Sequence, residues 1–160
     1  MNVKDLMQSA EENTTPFYYY DMELLENTLN KLKYAADKYK YNVHYALKAN
    51  TNGRVLDLIS SYGFGADCVS GNEIGKAVAH GFCPDQIAFA GVGKTDREIE
   101  VGLGNDIFCF NCESIQEIEV INEIATREKK VANIALRINP NVDANTHKYI
   151  TTGTTENKFG

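Results

Sequence analysis

The sequence predicts a parallel α/β fold, because strand-like and helix-like segments alternate along almost the whole chain. The strand-like segments are short and rich in apolar residues, and each is followed by a segment with helical spacing of apolar residues. The connecting loops are short and carry no hairpin signals. This is the pattern of successive βαβ units, in which helices cover a sheet whose strands are apolar on both faces. A doubly wound sheet and a (β/α) barrel both fit it.

The first elements set the predicted domain boundaries. A short strand is predicted at 17–20, and Asp21 is the predicted N-cap of a helix that extends to about Lys40. Residues 1–20 are therefore interpreted as an N-terminal extension with an opening strand. Residues 21–160 form the predicted α/β domain.

The remaining elements follow in strict alternation. The later strands are predicted at 43–50, 64–69, 87–90, 107–110 and 131–138. The helices between them are predicted at 53–62, 73–80, 95–103 and 113–128. Beyond 138 the chain is polar and rich in turn residues, and no second domain is predicted there.

The composition limits the classes of function. A net charge of −6 and a pI near 5.1 argue against nucleic acid as a partner, because phosphate binding needs a basic stripe. No apolar run approaches the ~20 residues of a membrane-spanning helix. The polar segment 1–15 lacks the features of a signal peptide. The four cysteines are therefore expected to be reduced, and the protein to be cytoplasmic.

The segment 43–50, Val-His-Tyr-Ala-Leu-Lys-Ala-Asn, carries the most informative residue. It reads as a strand that ends at a cluster of turn residues, so Lys48 lies near its C-terminal end. Ligands bind at this edge of the sheet in parallel α/β folds. The small neighbours Ala46 and Ala49 leave room for a large group on the lysine. A solvated lysine at a strand end is the alternative.

Further polar residues are predicted at the same edge. Asp67 lies inside the strand at 64–69, where a carboxylate in apolar surroundings needs a partner. Arg137 holds the equivalent place on the last predicted strand. Together with Lys48 they form a converging polar set, and His147 in the following loop is a weaker candidate.

The stretch 88–95, Ala-Phe-Ala-Gly-Val-Gly-Lys-Thr, fits a looser phosphate-loop pattern. Lys94 and Thr95 would then bind nucleotide phosphate and Mg²⁺. However, the predicted strand at 87–90 overlaps the motif, and the next strand lacks a terminal aspartate for the metal. A nucleotide hydrolase is therefore the less favoured alternative.

Cys109 and Cys112 have the spacing of a zinc half-site or a redox motif. No second Cys or His pair stands at ligand spacing in the sequence. We therefore predict buried or half-buried thiols and no metal site.

Taken together, these motifs resemble a known family, the fold-type III pyridoxal-phosphate decarboxylases, which are related to alanine racemase. The resemblance covers nearly the whole chain from Thr15 and is greatest to the diaminopimelate decarboxylases within that family. The matching segments are 45–50, 65–73, 89–95, 111–114 and 136–142, followed by His147, 152–153 and 158–160.

The resemblance implies a TIM-type (β/α) barrel with pyridoxal 5'-phosphate held covalently by Lys48. It implies decarboxylation of meso-2,6-diaminopimelate to L-lysine and CO₂ in a homodimer. Asp67 would position Lys48 electrostatically, and Arg137 would donate a hydrogen bond on the ring-oxygen side of the cofactor. Glu73 would be a supporting carboxylate near the second βα turn, and His147 a loop contact.

The family pattern also places the ring-stacking histidine, the glycine-rich phosphate site and the acidic partner of the pyridine nitrogen beyond Gly160. The chain is thus expected to be the N-terminal part of such an enzyme, with about five of eight strands, and to be inactive alone. Decarboxylases of ornithine, arginine or carboxynorspermidine remain alternatives. A non-catalytic pyridoxal-phosphate-binding protein is another.

Overall fold

The computed structural model describes residues 3–140. The chain divides into two compact units, Met1–Asn42 and Val43–Gly160. The predicted domain boundary after residue 20 lies within the first unit and stays a prediction. His147 lies outside the described residues.

The first unit contains two helices, α1 (Val3–Glu12) and α2 (Met22–Tyr39). Asp21 caps α2 as predicted, because its carboxylate accepts a hydrogen bond of 2.9 Å from the N–H of Leu24. That bond lowers the pKa of Asp21 below its usual range. Helix α1 was not predicted from the sequence, since this segment is polar and none of its residues is buried.

The strand predicted at 17–20 does not form, and this segment has no regular secondary structure. A strand requires main-chain hydrogen bonds to a neighbouring strand, which an apolar pattern alone does not provide. Helix α2 buries only part of its apolar side chains. Leu29 and Ala36 are buried, whereas Leu24 is 56% exposed.

The second unit, in its described residues, is built of four βα steps followed by a fifth strand. Its strands are β1 (His44–Ala46), β2 (Gly65–Cys68), β3 (Ile87–Phe89), β4 (Cys109–Cys112) and β5 (Ile134–Leu136). Its helices are α3 (Gly53–Ser61), α4 (Gly71–Ala79), α5 (Asp96–Gly104) and α6 (Ile115–Arg127). Short 3₁₀ turns follow β1 at Leu47–Ala49 and precede β3 at Pro84–Gln86.

All five strands pair in parallel, in the order β1-β2-β3-β4-β5. Crossovers between parallel strands are right-handed, so a sheet whose order follows the sequence carries its helices on one face. A doubly wound sheet instead reverses its strand order. The topology is therefore that of the N-terminal part of a (β/α) barrel, which decides between the two folds that the sequence allowed.

One face of the sheet is apolar and buried under the helices. Its fully or almost fully buried residues are Ala66, Cys68, Ile87, Phe89, Phe110 and Cys112. Gly102 of α5 lets that helix approach closely, because a Cβ there would lie 2.7 Å from the Phe110 ring. This contact fixes which face the helices cover.

The opposite face is made of small and polar residues, so the expectation of strands that are apolar on both faces was wrong. The register aligns Ala46 with Asp67 and Asp67 with Ala88, and it aligns Asn111 with Ala135. Side chains alternate between faces along a strand, so these residues all lie on the face without helices. Asp67 and Asn111 therefore share the face of the sheet that the helices leave uncovered.

Candidate active site

Lys48 follows the first strand directly, as predicted for a residue at the C-terminal edge. It lies in the 3₁₀ turn Leu47–Ala49, which the N–H of Asn50 closes on the carbonyl of Leu47 at 3.1 Å. Leu47 is fully buried and anchors the turn, whereas Lys48 is exposed. Within the part of the chain that the structure describes, the Lys48 amine makes no hydrogen bond and no ion pair. It is therefore available to a ligand.

Asp67 lies one strand away, opposite Ala46 in the parallel register. Its side chain is on the sheet face without helices, and it is half-buried. Its negative charge contributes to raising the pKa of two nearby thiols. Burial, with the charges of Glu73 and Asp67, raises the pKa of Cys68 to about 12, and burial with Asp67 raises the pKa of Cys109. Asp67 is therefore a charge between two small register partners, Ala46 and Ala88.

Arg137 follows β5, and its backbone N–H donates to the carbonyl of Cys112 at 3.0 Å. Its guanidinium Nη1 donates to Glu113 Oε2 at 2.8 Å. The Arg137 side chain is 36% exposed and that of Glu113 only 8%. Both line a cleft of 340 Å³ at the C-terminal ends of β3, β4 and β5, together with Ala90, Asn111, Ala135 and Leu136.

Lys94, the central residue of the phosphate-loop alternative, is already fully bonded. Its ammonium donates to the carbonyl oxygens of Gly91 and Asn111 at 2.7 and 2.8 Å, and to Glu117 Oε1 at 2.5 Å. An ammonium has three protons to donate, so these three acceptors use all of them. The Lys94 side chain is 1% exposed. A phosphate loop needs N–H donors around an open lysine, and this geometry argues against a nucleotide site here.

The helix N-termini of this region are occupied by glutamates. Helices α4, α5 and α6 each begin with Ser or Thr followed three residues later by Glu, the pairs being Ser70–Glu73, Thr95–Glu98 and Ser114–Glu117. Glu73 accepts from the N–H of Val69 at 2.7 Å, which places it at the second βα turn as predicted. Glu98 reaches the neighbouring helix and accepts from the N–H of Gly71 at 3.0 Å.

The cysteines and histidines form no metal site in the described residues. Among residues 3–140 no group of three or more His, Cys, Asp or Glu side chains is placed to hold a metal ion. All four cysteines are free thiols, and Cys109 and Cys112 are buried. His80 caps α4 and pairs with Asp57 at 2.6 Å, and His44 packs within β1.

No helix of the described chain is long and apolar enough to cross a membrane.

The strand topology brings the predicted set to one edge of one sheet. Lys48 and Arg137 stand just after the C-terminal ends of β1 and β5, and Asp67 stands one residue before the end of β2. Glu113 was not predicted as a site residue, because its partner Arg137 is 24 residues away in the sequence. The ion pair of Lys94 with Glu117 was not predicted either, although the Ser-x-x-Glu pattern at 114–117 marks Glu117 as a helix-capping residue.

Comparison with known proteins agrees with this geometry. A diaminopimelate decarboxylase of Bacteroides thetaiotaomicron is 58% identical over 147 residues, which is 91% of this chain and 38% of that protein. The crystal structure of diaminopimelate decarboxylase from Helicobacter pylori complexed with L-lysine superposes with a TM-score of 0.83 and 42% identity, over 99% of this chain and 40% of that one. The diaminopimelate decarboxylase of M. jannaschi superposes with a TM-score of 0.87 and 38% identity, over 96% and 37%.

The chain thus spans 38% of the length of this B. thetaiotaomicron relative and of a Helicobacter pylori diaminopimelate decarboxylase that is 45% identical to it. Over residues 23–160 it matches the family described as pyridoxal-dependent decarboxylase, pyridoxal binding domain. This match covers most of the chain, and the relatives and the sheet topology agree with it. The chain therefore belongs to the pyridoxal-dependent decarboxylases, as a pyridoxal-binding domain of that family.

Proposed function

We propose that the protein carrying this chain decarboxylates meso-2,6-diaminopimelate to L-lysine and CO₂, with pyridoxal 5'-phosphate as its cofactor. The observation that carries the proposal is the accessible amine of Lys48 at the C-terminal end of β1. It is supported by relatives named diaminopimelate decarboxylase at up to 58% identity. The complex of the H. pylori relative with L-lysine gives the same substrate class.

The residues present suit such a cofactor chemically. Condensation with an aldehyde needs a primary amine that is not engaged elsewhere, and among the described residues Lys48 meets this condition while Lys94 does not. Oxygen atoms on a ligand need hydrogen-bond donors. Within residues 3–140, the Arg137 guanidinium makes one side-chain hydrogen bond, to Glu113, and the side chain is 36% exposed.

Pyridoxal phosphate, when bound, supplies an electron sink for the pair of electrons released as the α-carboxylate leaves as CO₂. Lys48 is the residue that would hold it covalently. Asp67 lies on the neighbouring strand and orients the Lys48 amine through its charge. Arg137 donates a hydrogen bond to an oxygen of the cofactor ring.

The roles of the other predicted residues differ in kind. Glu73 uses its carboxylate on the Val69 N–H, so it acts by fixing the second βα turn rather than by touching substrate. His147 is proposed as a loop contact from the resemblance alone. The helix N-termini of α4, α5 and α6 carry glutamates, so the cofactor phosphate binds outside these three helix starts.

The proposal also covers the oligomeric state, the cellular location and the class of ligand. A homodimer is proposed on the resemblance. A cytoplasmic location is proposed because the four thiols are free, which is typical of a reducing compartment. The partner of the site is a small amino acid and not a nucleic acid, in keeping with the net charge of −6.

Borohydride trapping tests the cofactor site directly. The protein is incubated with pyridoxal phosphate, reduced, digested and sequenced by mass spectrometry. We expect a pyridoxyl group on Lys48 and loss of labelling and of the visible absorption band in Lys48→Ala. Lys76→Ala removes an exposed lysine of α4 and serves as the matched control. Labelling spread evenly over exposed lysines would contradict the assignment.

Substrate choice is tested by measuring CO₂ release. The assay uses the protein at the full length of its diaminopimelate decarboxylase relatives. We expect turnover of meso-2,6-diaminopimelate, and no comparable turnover of ornithine, arginine or carboxynorspermidine. A preference for one of the latter three would retain the cofactor assignment and replace the substrate. Binding without any turnover would identify a non-catalytic pyridoxal-phosphate protein.

A further inference from the structure

We infer that Glu113 is a positioning residue that holds the Arg137 guanidinium in the wall of the cleft, so that its remaining N–H groups are directed to a ligand. The inference rests on the proposed function, in which Arg137 contacts the cofactor. It adds a residue that does not touch cofactor or substrate and acts through Arg137. Neither the sequence motifs nor the relatives' names assign this role.

The geometry of the pair is specific. Glu113 Oε2 accepts from Arg137 Nη1 at 2.8 Å, and Glu113 keeps only 8% of its side chain exposed. Both residues line the 340 Å³ cleft at the ends of β3 to β5. A guanidinium has five N–H donors in a fixed plane. One bond to Glu113 therefore restrains the position of the guanidinium and leaves its other donors for a ligand.

The strand that precedes Arg137 does not hold its side chain. All three residues of β5 are exposed, and β5 is the last strand of the described sheet. The bond from the Arg137 N–H to Cys112 fixes the backbone only. In residues 3–140, the hydrogen bond to Glu113 is the one that the Arg137 side chain makes. Without it, a long side chain would sample several rotamers.

Glu113 is itself held in place by the neighbouring loop. Its backbone N–H donates to Glu117 Oε2 at 2.7 Å, and the other oxygen of Glu117 receives the Lys94 ammonium. The bonds thus run from the loop after β3, through the start of α6, to the residue after β5. This series of contacts explains why a largely buried carboxylate stands beside a half-exposed arginine.

Chemical modification of arginine tests the pairing without any cofactor. Phenylglyoxal labelling is followed by mass spectrometry in wild type, Glu113→Gln and Glu113→Ala. We expect Arg137 to react several-fold faster in Glu113→Ala, with Glu113→Gln in between, because the amide oxygen still accepts a hydrogen bond but carries no charge. Arg97 is exposed and serves as the internal control, with a rate that stays the same.

A double-mutant cycle tests the positioning role. The Kd for pyridoxal phosphate is measured by its absorption change in wild type, Glu113→Ala, Arg137→Ala and the double variant. We expect each single change to raise Kd about tenfold, the size of one lost charge-assisted hydrogen bond, and the double change to raise it no further. Glu123→Ala, on the exposed face of α6, is the matched control with no effect.

The outcomes separate the inference from the proposed function. Equal labelling of Arg137 in all three proteins would overturn the inference, and so would independent, multiplying effects in the cycle. Glu113→Gln keeps the shape of the side chain, so it remains informative if Glu113→Ala fails to fold. Failure of the proposed function is visible in wild type alone, as an absence of cofactor binding at Lys48.

Discussion

The Lys94 ammonium lies 2.5 Å from the Glu117 carboxylate, and the two side chains are only 1% and 13% exposed. The ammonium also contacts the carbonyl oxygens of Gly91 and Asn111, and it stands 5.2 Å from the centre of the Phe89 ring. Lys94 belongs to a sequence motif that suggests nucleotide binding, but in the structure it forms an ion pair with Glu117. It joins the loop after β3 to the first turn of α6.

The first prediction concerns the stability of this pair. Lys94→Met leaves the Glu117 carboxylate buried without its cation, and we expect a loss of about 3 kcal/mol in the free energy of unfolding. Replacing both residues, as in Lys94→Met with Glu117→Leu, should recover part of that loss, because no unpaired charge remains. The measurement is urea denaturation.

Lys76→Met is the matched control for this experiment, because Lys76 is exposed on α4. We expect it to change the free energy of unfolding by less than about 0.5 kcal/mol. A Lys94→Met protein as stable as the Lys76→Met protein would show that the pair contributes nothing to folding. It would then reopen the question of what Lys94 binds.

The second prediction concerns thiol reactivity. Three of the four cysteines are buried and only Cys83 is exposed. Burial raises the pKa of Cys68 to about 12, and it also raises the pKa of Cys109 and Cys112. The thiolate is the reactive form, so at pH 8 only about one Cys68 side chain in 10⁴ is ionised.

We therefore expect one fast-reacting thiol per folded chain in a colorimetric thiol assay at pH 8. Peptide mapping should place it at Cys83. In denaturant all four thiols should react at similar rates, which controls for oxidation during preparation. A second fast thiol at Cys109 or Cys112 would mean that the interior of the second unit opens readily.

The sequence predicts the order of the elements in the second unit well, because each strand is marked by its own apolar residues and each helix by its cap. Ser70, Thr95 and Ser114 all occupy the N-cap positions of α4, α5 and α6. Boundaries are less certain, as β4 shows. It was predicted at 107–110 and runs from Cys109 to Cys112, since pairing with β5 and not apolarity decides where a strand begins.

The candidate site divides in the same way. Lys48, Asp67 and Arg137 are recognisable because each is a charged residue in or beside an apolar strand. Glu113 is not, since its partner is 24 residues distant and no periodicity encodes that contact. The sequence likewise cannot show what surrounds Lys94. Carbonyl oxygens bind the lysine ammonium itself, whereas the N–H groups of a phosphate loop bind an anion, and the same residues are compatible with both arrangements.

The third prediction compares two glycines. A Cβ on Gly65 would collide with the backbone carbonyl of Gln86 and would lie 2.9 Å from the His44 ring, whereas one on Gly75 would meet nothing within 4 Å. Gly65→Ala should therefore destabilise the protein by about 1–3 kcal/mol through overpacking between β2 and β3. The measurement is the free energy of unfolding in urea.

Gly75→Ala should have the opposite sign and serves as the matched control. Gly75 lies inside α4, where alanine favours the helix by about 0.5–1 kcal/mol over glycine. Equal effects of the two substitutions would contradict the close approach of Gly65 to its neighbouring strand.

The last prediction concerns the pH dependence of Glu98. Its carboxylate accepts from the N–H of Gly71 at 3.0 Å and from the N–H of Thr95 at 3.1 Å, and these bonds lower its pKa. A lowered pKa in the folded state means that folding favours the ionised form. The stabilisation is complete above the ordinary glutamate pKa of about 4.3 and is lost as the pH falls through the lowered value.

We expect Glu98→Gln to be less stable than wild type at pH 7 by about 1 kcal/mol, the usual contribution of a helix-capping side chain. The difference should close as the pH is lowered below 4, because the wild-type carboxyl then becomes neutral as well. Glu123→Gln is exposed on α6 and should show no such difference at either pH. A difference that stays constant from pH 7 to pH 3 would mean that Glu98 joins α4 to α5 through packing of its side chain against Gly71, and not through its charge.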